Sequence, residues 1–352
     1  MKTESTDVVV IGAGQAGLSA ARSLTSLGLE PVVLERRDGP SGAWVDYYDS
    51  LTLFSPARFS SLPGLAFPGD PGRYPHRDEV VSYLAAYART VPAEVRYGTS
   101  VTAVERLNGM FLVRTADGQE ISARSVISAA GSFTRPVTPD VVGRDAFAGV
   151  QLHSSAYRSA EPFHGARVLV VGGGNSAVQI ALELSSVATV TLASRSPVAF
   201  TPQRILGRDI HFWLRRSGFD SLPIALSSMF LRGSPVLDDG RHRAMLRSGR
   251  VEAAPMFTSL VEHGVTWPDG TSSAVDVIIW ATGFAPELTH LRPLLPAPLS
   301  GQSPHQIAAP LDLPGLALVG LERQRSFASN TLRGVGRDAE HVSRRVAAYL
   351  RT

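Results

Sequence analysis

The run Asp7-Val-Val-Val-Ile-Gly12-Ala-Gly14-Gln15-Ala16-Gly17 decides how this chain folds. Val8 to Ile11 is a continuous β-branched stretch, the pattern of a parallel strand buried on both faces. Gly12 permits a tight turn, Gly14 lets main chain approach a pyrophosphate, and Gly17 lets a helix pack closely on its strand. Ala16 to Leu27 has the periodicity of an amphipathic helix, and Gly28 stands where its C-terminus needs a cap. Pro31 to Leu34 reads as the next strand. It ends at Glu35, an acceptor for ribose hydroxyls, followed by Arg36. The start of such a helix offers free N–H groups and partial positive charge to an anion. Gly12, Gly14, Gln15, Ala16, Gly17, Glu35 and Arg36 are therefore expected at one dinucleotide.

The pattern restarts 160 residues on, making a long-range internal repeat. Val168 to Val171 reads as a buried strand, followed by Gly172-Gly-Gly174-Asn175-Ser176-Ala177, with Ala177 in the third glycine's seat. Ser176 to Ser186 reads as a helix, and Thr189 to Ala193 as a strand. That strand runs into Ser194 and Arg195, with no acid. An acid there repels a 2′-phosphate, whereas a hydroxyl and a guanidinium hold one. These residues assign FAD to the first site and NADPH to the second. Ala130-Gly131 and Ala281-Thr282-Gly283 supply small residues for two crossings between domains, where main chain runs close to a cofactor. The fold class expected is α/β, with two nested Rossmann-like domains. The FAD domain comprises 1–152 plus 281–352, and the inserted NADPH domain 153–280, carrying a partly helical insert at 200–255.

Other segments fill in this plan. Arg37 to Tyr74 is rich in Gly, Pro and Ser yet carries aromatics, which suits a structured functional loop. Arg77 to Thr90 reads as a helix. Val101 to Thr115 and Glu120 to Ser128 read as strands joined by a turn at Asp117-Gly118. Val275 to Trp280 and Leu316 to Val319 read as strands, and a helix is expected from about Arg337 to Leu350. Within the insert, Leu222 to Leu226 and Met229 to Leu231 form apolar clusters.

Composition bounds the chemistry. At 352 residues with 44% hydrophobic and 18% charged residues, the chain is globular and suits two domains. It has no cysteine, which excludes disulphides, thiolate metal sites, iron–sulfur clusters and a CxxC redox relay. Its nine histidines show no ligand spacing, so no metal is expected. Net charge is only +3, and Lys2 is the one lysine. The basic run from Arg241 to Arg250 lacks interleaved aromatics, so it reads as a solvated helix face and no nucleic acid is expected. No signal-peptide core and no apolar run of about 18 residues is present. A cytoplasmic location without membrane contact is expected. Oligomeric state is not legible beyond the general prevalence of homodimers.

Phe147-Ala-Gly149-Val-Gln-Leu-His153-Ser-Ser-Ala-Tyr157, lying just before the second glycine motif, matches FxGxxxHxxxY. This resembles the fingerprint of the flavin-containing monooxygenases, the class B flavoprotein monooxygenases. Ser41-Gly42-Ala43-Trp44 is similar to that family's GGxW, with Ser41 replacing a glycine, and Ala281-Thr-Gly-Phe284 to its ATGF. Tyr48-Asp-Ser-Leu51 and Arg73-Tyr-Pro75 resemble the plant auxin-forming branch and short bacterial relatives. The layout resembles the flavin monooxygenases of bacterial arsenic-resistance operons.

The resemblance implies that NADPH reduces FAD by hydride transfer and that dioxygen adds to the reduced ring as a peroxide. NADP⁺ then shields that peroxide while a small soft nucleophile, a sulfur, nitrogen or arsenical centre, takes the distal oxygen. His153 and Tyr157 would support the linker and the NADP⁺ pose. Gly42 and Trp44 would lie by the FAD, or Trp44 would be ordinary core. The Asn330-Thr331-Leu332 segment would turn N–H groups to the flavin pyrimidine, or simply start a helix. The register puts Phe54 or Ser55 where amine-oxidising members carry an asparagine. No Trp-Pro follows the histidine, which argues against Baeyer–Villiger enzymes. Two other classes stay open: an NADPH oxidase or electron-transfer reductase, and a nucleotide-sensing scaffold. The substrate is not readable, although Arg58 and Arg204 are candidates to meet an anionic one.

Overall fold

The computed structural model describes residues 4–227, 229, 235–294 and 313–352. Its first sheet begins with β1 (Glu4–Ile11), which leads through α1 (Gln15–Ser26) to β2 (Val32–Leu34). After a long loop and α2 (Arg77–Ala88) come β3 (Glu94–Arg96), β4 (Val101–Leu107), β5 (Met110–Thr115) and β6 (Glu120–Ser128). The strand order is β3-β2-β1-β6-β5-β4. β1 lies parallel between β2 and β6, with Val9 facing both Val32 and Val126. Because side chains alternate across a strand, Val8 and Val10 pack on the helical side with Leu18 and Leu24. Val9 and Ile11 pack on the opposite side with Phe111 and Leu291.

The chain then crosses through β7 (Arg135–Pro136) into a second sheet. This contains β8 (Val150–His153), β9 (Arg167–Val171) and, after α3 (Asn175–Leu184), β10 (Thr189–Ser194). Among the described residues, five short strands and three short helices follow: β11 (Phe200–Pro202), β12 (Arg204–Ile205), β13 (Arg208–Asp209), α4 (Ile210–Arg216), α5 (Ile224–Ser227), β14 (Val236–Asp238), α6 (Arg241–Arg247) and β15 (Glu252–Pro255). A meander, β16 (Ser259–Val261), β17 (Gly264–Thr266) and β18 (Ser272–Ala274), precedes β19 (Val277–Trp280). The sheet order is β15-β10-β9-β19-β8, with every pairing parallel. The same alternation recurs, Val168 and Val170 packing with α3 and Leu169 and Val171 with Trp280 and Phe257.

The chain returns through β20 (Phe284–Ala285), which pairs antiparallel with β7. The two crossings are thus zipped together. β21 (Leu316–Leu318) then joins the first sheet parallel to β6, and α7 (Leu332–Leu350) packs along α1. The architecture is the expected α/β one, with parallel-sheet Rossmann character in two units, one laid inside the sequence of the other.

Three details depart from the reading of the sequence. The segment 101–115 is not one strand, because Asn108 and Gly109, both at positive φ (52° and 82°), fold it into a hairpin. The last helix begins at Leu332, so Leu332 to Asp338 lie inside it and not ahead of it. The second sheet takes in its strand from Val150 onward. Phe230 and Leu231 of the expected apolar cluster lie outside the described residues.

Candidate functional site

Both glycine turns hold the strained geometry their residues permit. Gly12 sits at φ 102°, and a Cβ there would lie 2.7 Å from the Ala129 carbonyl oxygen. Gly172 sits at φ 146°, and its Cβ would overlap the carbonyl oxygen of Ala281. Ala129 and Ala281 are equivalent positions, each following the strand beside the turn (β6 and β19) and donating its N–H to that turn's first strand. This explains why small residues recur at Ala130-Gly131 and Ala281-Thr282-Gly283. In the first site a Cβ on Gly17 would overlap the Gly12 carbonyl, so only glycine fits. In the second, Ala177 is fully buried with its methyl against Gly172.

Three helices begin bare. Gly14, Gly174 and Thr331 occupy the N-cap positions of α1, α3 and α7 without any side-chain cap, and no first turn carries an acid. Thr331 bonds backward instead, to the Ala328 carbonyl at 2.7 Å. Elsewhere the chain does cap. Glu79 accepts from the N–H of His76 at the start of α2 (2.9 Å), and Asp209 accepts from the N–H of His211 in α4 (2.8 Å). Uncapped N–H groups and the positive helix end are what a pyrophosphate or a reduced ring needs.

Around α1 the expected residues converge. Glu35 is buried, and its carboxylate accepts from the N–H groups of Ala13 (2.6 Å) and Arg37 (3.0 Å). Gln15 donates to the Asn330 carbonyl (2.6 Å), 315 positions away, and accepts from the Trp44 indole (3.1 Å), joining three segments of the chain. Ala16 and Leu332 are buried. Gly42, at φ 54°, faces Gly14 so closely that a Cβ on it would lie 3.2 Å from the Gly14 Cα. Arg36 is exposed and lies outside this cluster. A buried acid, two facing glycines and a bare helix start fit an FAD. At the second site Ser194 is half-buried and donates to the Ser196 carbonyl (2.8 Å), while Arg195 is exposed beyond the strand. Asn175 and Ser176 form the bare first turn of α3, and a Cβ on Gly174 would meet nothing within 4 Å. This open cradle fits an NADPH.

His153 ties the crossings together. Its Nδ1 accepts from the Ser155 N–H (3.1 Å), so Nε2 carries the proton and donates to the Gly283 carbonyl (3.0 Å). Burial pushes its pKa down, which keeps the ring neutral in this role. The ring stands edge-on to Phe284 at 4.9 Å. Thr282 donates to the Val137 carbonyl (2.5 Å), and the Gly131 carbonyl accepts from Glu287 (3.0 Å). Tyr157 is fully buried against Tyr48 and Phe163, and its hydroxyl has no hydrogen-bond partner. Burial and nearby Glu183 push that hydroxyl's pKa up. Tyr48 in turn donates to Gln179 of α3 (2.8 Å), so the loop after Trp44 straps the two sheets together.

A seam that the sequence did not reveal lies between residues 54–74 and the β12–α4 segment. Asp209 accepts at Oδ1 from the His211 main chain and ring (2.8 and 2.7 Å) and at Oδ2 from Gln203 (2.8 Å) and Tyr74 (2.5 Å). Burial pushes Asp209 up, but these bonds outweigh it and hold the carboxyl at about 2. His211 lies between the rings of Phe54 and Phe59, and Gln203 also donates to the Phe54 carbonyl (3.0 Å). Ser55 is buried with its hydroxyl 2.8 Å from that of Ser60, committed to a local turn. Deeper in, Arg333 of α7 forks onto Asp220 (3.0 and 3.1 Å), both groups more than nine-tenths buried, and its Nη1 has no partner. Asp238, Asp239 and His242 bring ligand-type atoms within 4.8 Å of one another, but Asp238 accepts from the N–H groups of Gly240 and His242, the bonds of a helix start.

Comparison with known proteins agrees with this geometry. The sequence profile of the pyridine nucleotide-disulphide oxidoreductases matches residues 9–215. A flavin-containing monooxygenase from Stenotrophomonas maltophilia is 36% identical, with a TM-score of 0.84 over 99% of each chain. An oxidoreductase of Geobacillus kaustophilus designated CzcO-like is 32% identical over 96% of this chain and 97% of its own. The indole-3-pyruvate monooxygenase YUCCA1 of Oryza sativa subsp. japonica is 33% identical over 78% of this chain and 76% of its own. A protein thiol relay of the kind in the family's name is closed to this chain, which has no cysteine. No helix among the described residues is long and apolar enough to cross a membrane. The chain belongs to the pyridine nucleotide-disulphide oxidoreductase family, among its flavin-containing monooxygenases, and is an NADPH-dependent flavoprotein oxidoreductase enzyme using FAD and NADPH.

Proposed function

We propose that the enzyme uses dioxygen and NADPH to oxygenate a small soft nucleophile, a sulfur, nitrogen or arsenical centre. FAD is assigned to the sheet built from both chain ends, and NADPH to the unit between about 150 and 280. When bound, the two cofactors supply hydride delivery and oxygen activation.

The residues of the chain bind, orient and exclude. Glu35 takes the FAD ribose, the bare start of α1 takes the pyrophosphate, and Leu332 offers its N–H group where negative charge gathers on reduction, the Thr331 N–H being held by the Ala328 carbonyl (2.9 Å). The start of α3 takes the NADPH pyrophosphate, and Ser194 and Arg195 take the 2′-phosphate. Trp44 is held by Gln15 at the junction of α1 and the Asn330 segment, which suits a wall against water. His153 and Tyr157 act by position. The observation carrying this reading is the His153 bond to Gly283, which fastens the FxGxxxHxxxY segment onto the ATGF crossing between the two nucleotide units.

The test counts products per NADPH consumed by the FAD-loaded enzyme, with thioether, amine and arsenite probes. Oxygenated product approaching one per NADPH supports the reading. Hydrogen peroxide matching NADPH with every probe replaces it with the oxidase reading.

A further inference from the structure

A cavity of about 220 Å³ opens on the seam between residues 56–74 and the β12–β13 hairpin. It is smaller than the roughly 300 Å³ of pockets for drug-sized ligands, so its occupant is metabolite-sized. Arg58, Arg204 and Arg208 line it together with Tyr74, Phe59 and Phe212. Among the described residues, none of these three arginines forms an ion pair. Each is oriented by one local contact: Arg58 Nε on the Pro71 carbonyl (3.1 Å), Arg204 Nη2 on the Gly207 carbonyl (3.2 Å), and Arg208 over the Phe212 ring (5.2 Å). Among the described residues the remaining N–H groups of each guanidinium find no hydrogen-bond partner, and each is a donor in the fork that suits a carboxylate.

The one acid in the lining does not compete. Asp209 faces Arg204 across the hairpin, yet the two form no ion pair. Its oxygens already hold four donors, from His211, Gln203 and Tyr74. Three cations therefore surround a small concave site whose only carboxylate is turned inward and satisfied. Phe59, Phe212 and Tyr74 supply flat apolar walls beside them.

We propose that this cavity is the carboxylate-binding subsite of the enzyme, taking a small aromatic acid with its carboxylate on Arg58, Arg204 and Arg208. That the occupant is the substrate rests on the monooxygenase reading; that the site binds an aromatic carboxylate does not. The arginines are exposed, so replacing them leaves the core intact.

The experiment titrates the FAD-loaded enzyme, saturated with NADP⁺, with benzoate and with benzamide, its uncharged match in shape, following heat. Benzoate is expected to bind at about millimolar or tighter and benzamide about tenfold more weakly or not at all. R58A, R204A and R208A should each weaken benzoate several-fold, with little change for benzamide, and added salt should do the same. Inorganic phosphate should compete more weakly than benzoate, because it gains nothing from the aromatic walls. Equal binding of the two probes, no benzoate binding up to about 10 mM, unchanged affinity in all three variants, or binding abolished by NADP⁺ would each overturn the assignment. Product counting separates the two readings. Carboxylate binding without any oxygenated product removes the monooxygenase proposal and leaves the subsite. Oxygenation of neutral and anionic probes alike, with no effect of the arginine variants, does the reverse.

Discussion

At the scale of single residues, the two glycine motifs are alike in pattern and unlike in tolerance. A methyl on Gly17 would overlap the Gly12 carbonyl, whereas Ala177 already fits the matching seat. Gly17→Ala is expected to purify without bound FAD, or not to fold, as read by flavin absorbance per protein. Ala177→Gly should lose only a buried methyl and some helix propensity, about 1–2 kcal/mol, and melt a few degrees lower. Arg195 makes a second test. Arg195→Ala should raise the NADPH KM about tenfold while leaving the NADH KM nearly unchanged, because only NADPH carries a 2′-phosphate. His290 makes a third. It is buried with Nε2 2.9 Å from the Ser128 hydroxyl, and burial pushes its pKa down to about 4. The folded state thus prefers the neutral ring. Its contribution is complete above about pH 6.5 and is lost as pH falls toward 4, an effect on the order of 3 kcal/mol. Melting temperature should drop from pH 7 to 5, less steeply in His290→Gln; an unchanged slope would show the histidine is not the cause.

At the scale of elements, α7 shows why helix limits were only partly legible. Gly334 and Gly336 argue against a helix by propensity, yet both lie within it. A Cβ on Gly334 would overlap the Ala328 carbonyl, and one on Gly336 would overlap Pro63. Packing required the glycines, and the tertiary fold overrode the propensity. The hairpin at Asn108-Gly109 is the opposite case. Asn-Gly is a strong two-residue turn signal, and it was overshadowed by alternation running on both sides of it. α7 is joined to the insert by the Arg333–Asp220 fork. Removing one partner leaves a buried charge, so Arg333→Ala should cost about 3–5 kcal/mol in denaturant unfolding. The Arg333→Ala, Asp220→Ala double variant should cost clearly less than the two singles added.

At the scale of the whole molecule, contacts at the crossings help fasten the two sheets. The β7–β20 pairing, the His153 bond to Gly283 and the Tyr48 bond to Gln179 join segments that pass between them. Together with the seam from Phe54 to Asp220, these contacts hold the two units against each other. His153→Ala should therefore change nucleotide handling more than folding. The expected result is an NADPH KM raised about tenfold, with retained FAD and a stability loss of about 1–2 kcal/mol. If flavin content and melting fall instead while the KM holds, the histidine is a structural pin alone.

The amino-acid sequence by itself determined the two strand–glycine–helix units and the crossings made of small residues, and it is the basis for proposing FAD at the first unit and NADPH at the second. Those features come from local physics: β-branched runs, glycines at strained turns, and an acid or arginine at a strand end, all within about 30 residues. Tertiary structure alone decided the seam. Gln203 meets Phe54 across 149 positions, Tyr74 meets Asp209 across 135, and Arg333 meets Asp220 across 113. No periodicity links such pairs, and residues 200–255 look unpatterned because their side chains answer to distant partners. Arg58 and Arg204 were visible as candidate anion ligands. Only the folded chain brings Arg208 beside them and satisfies Asp209 elsewhere, because which charges remain unpaired is a property of the packed molecule.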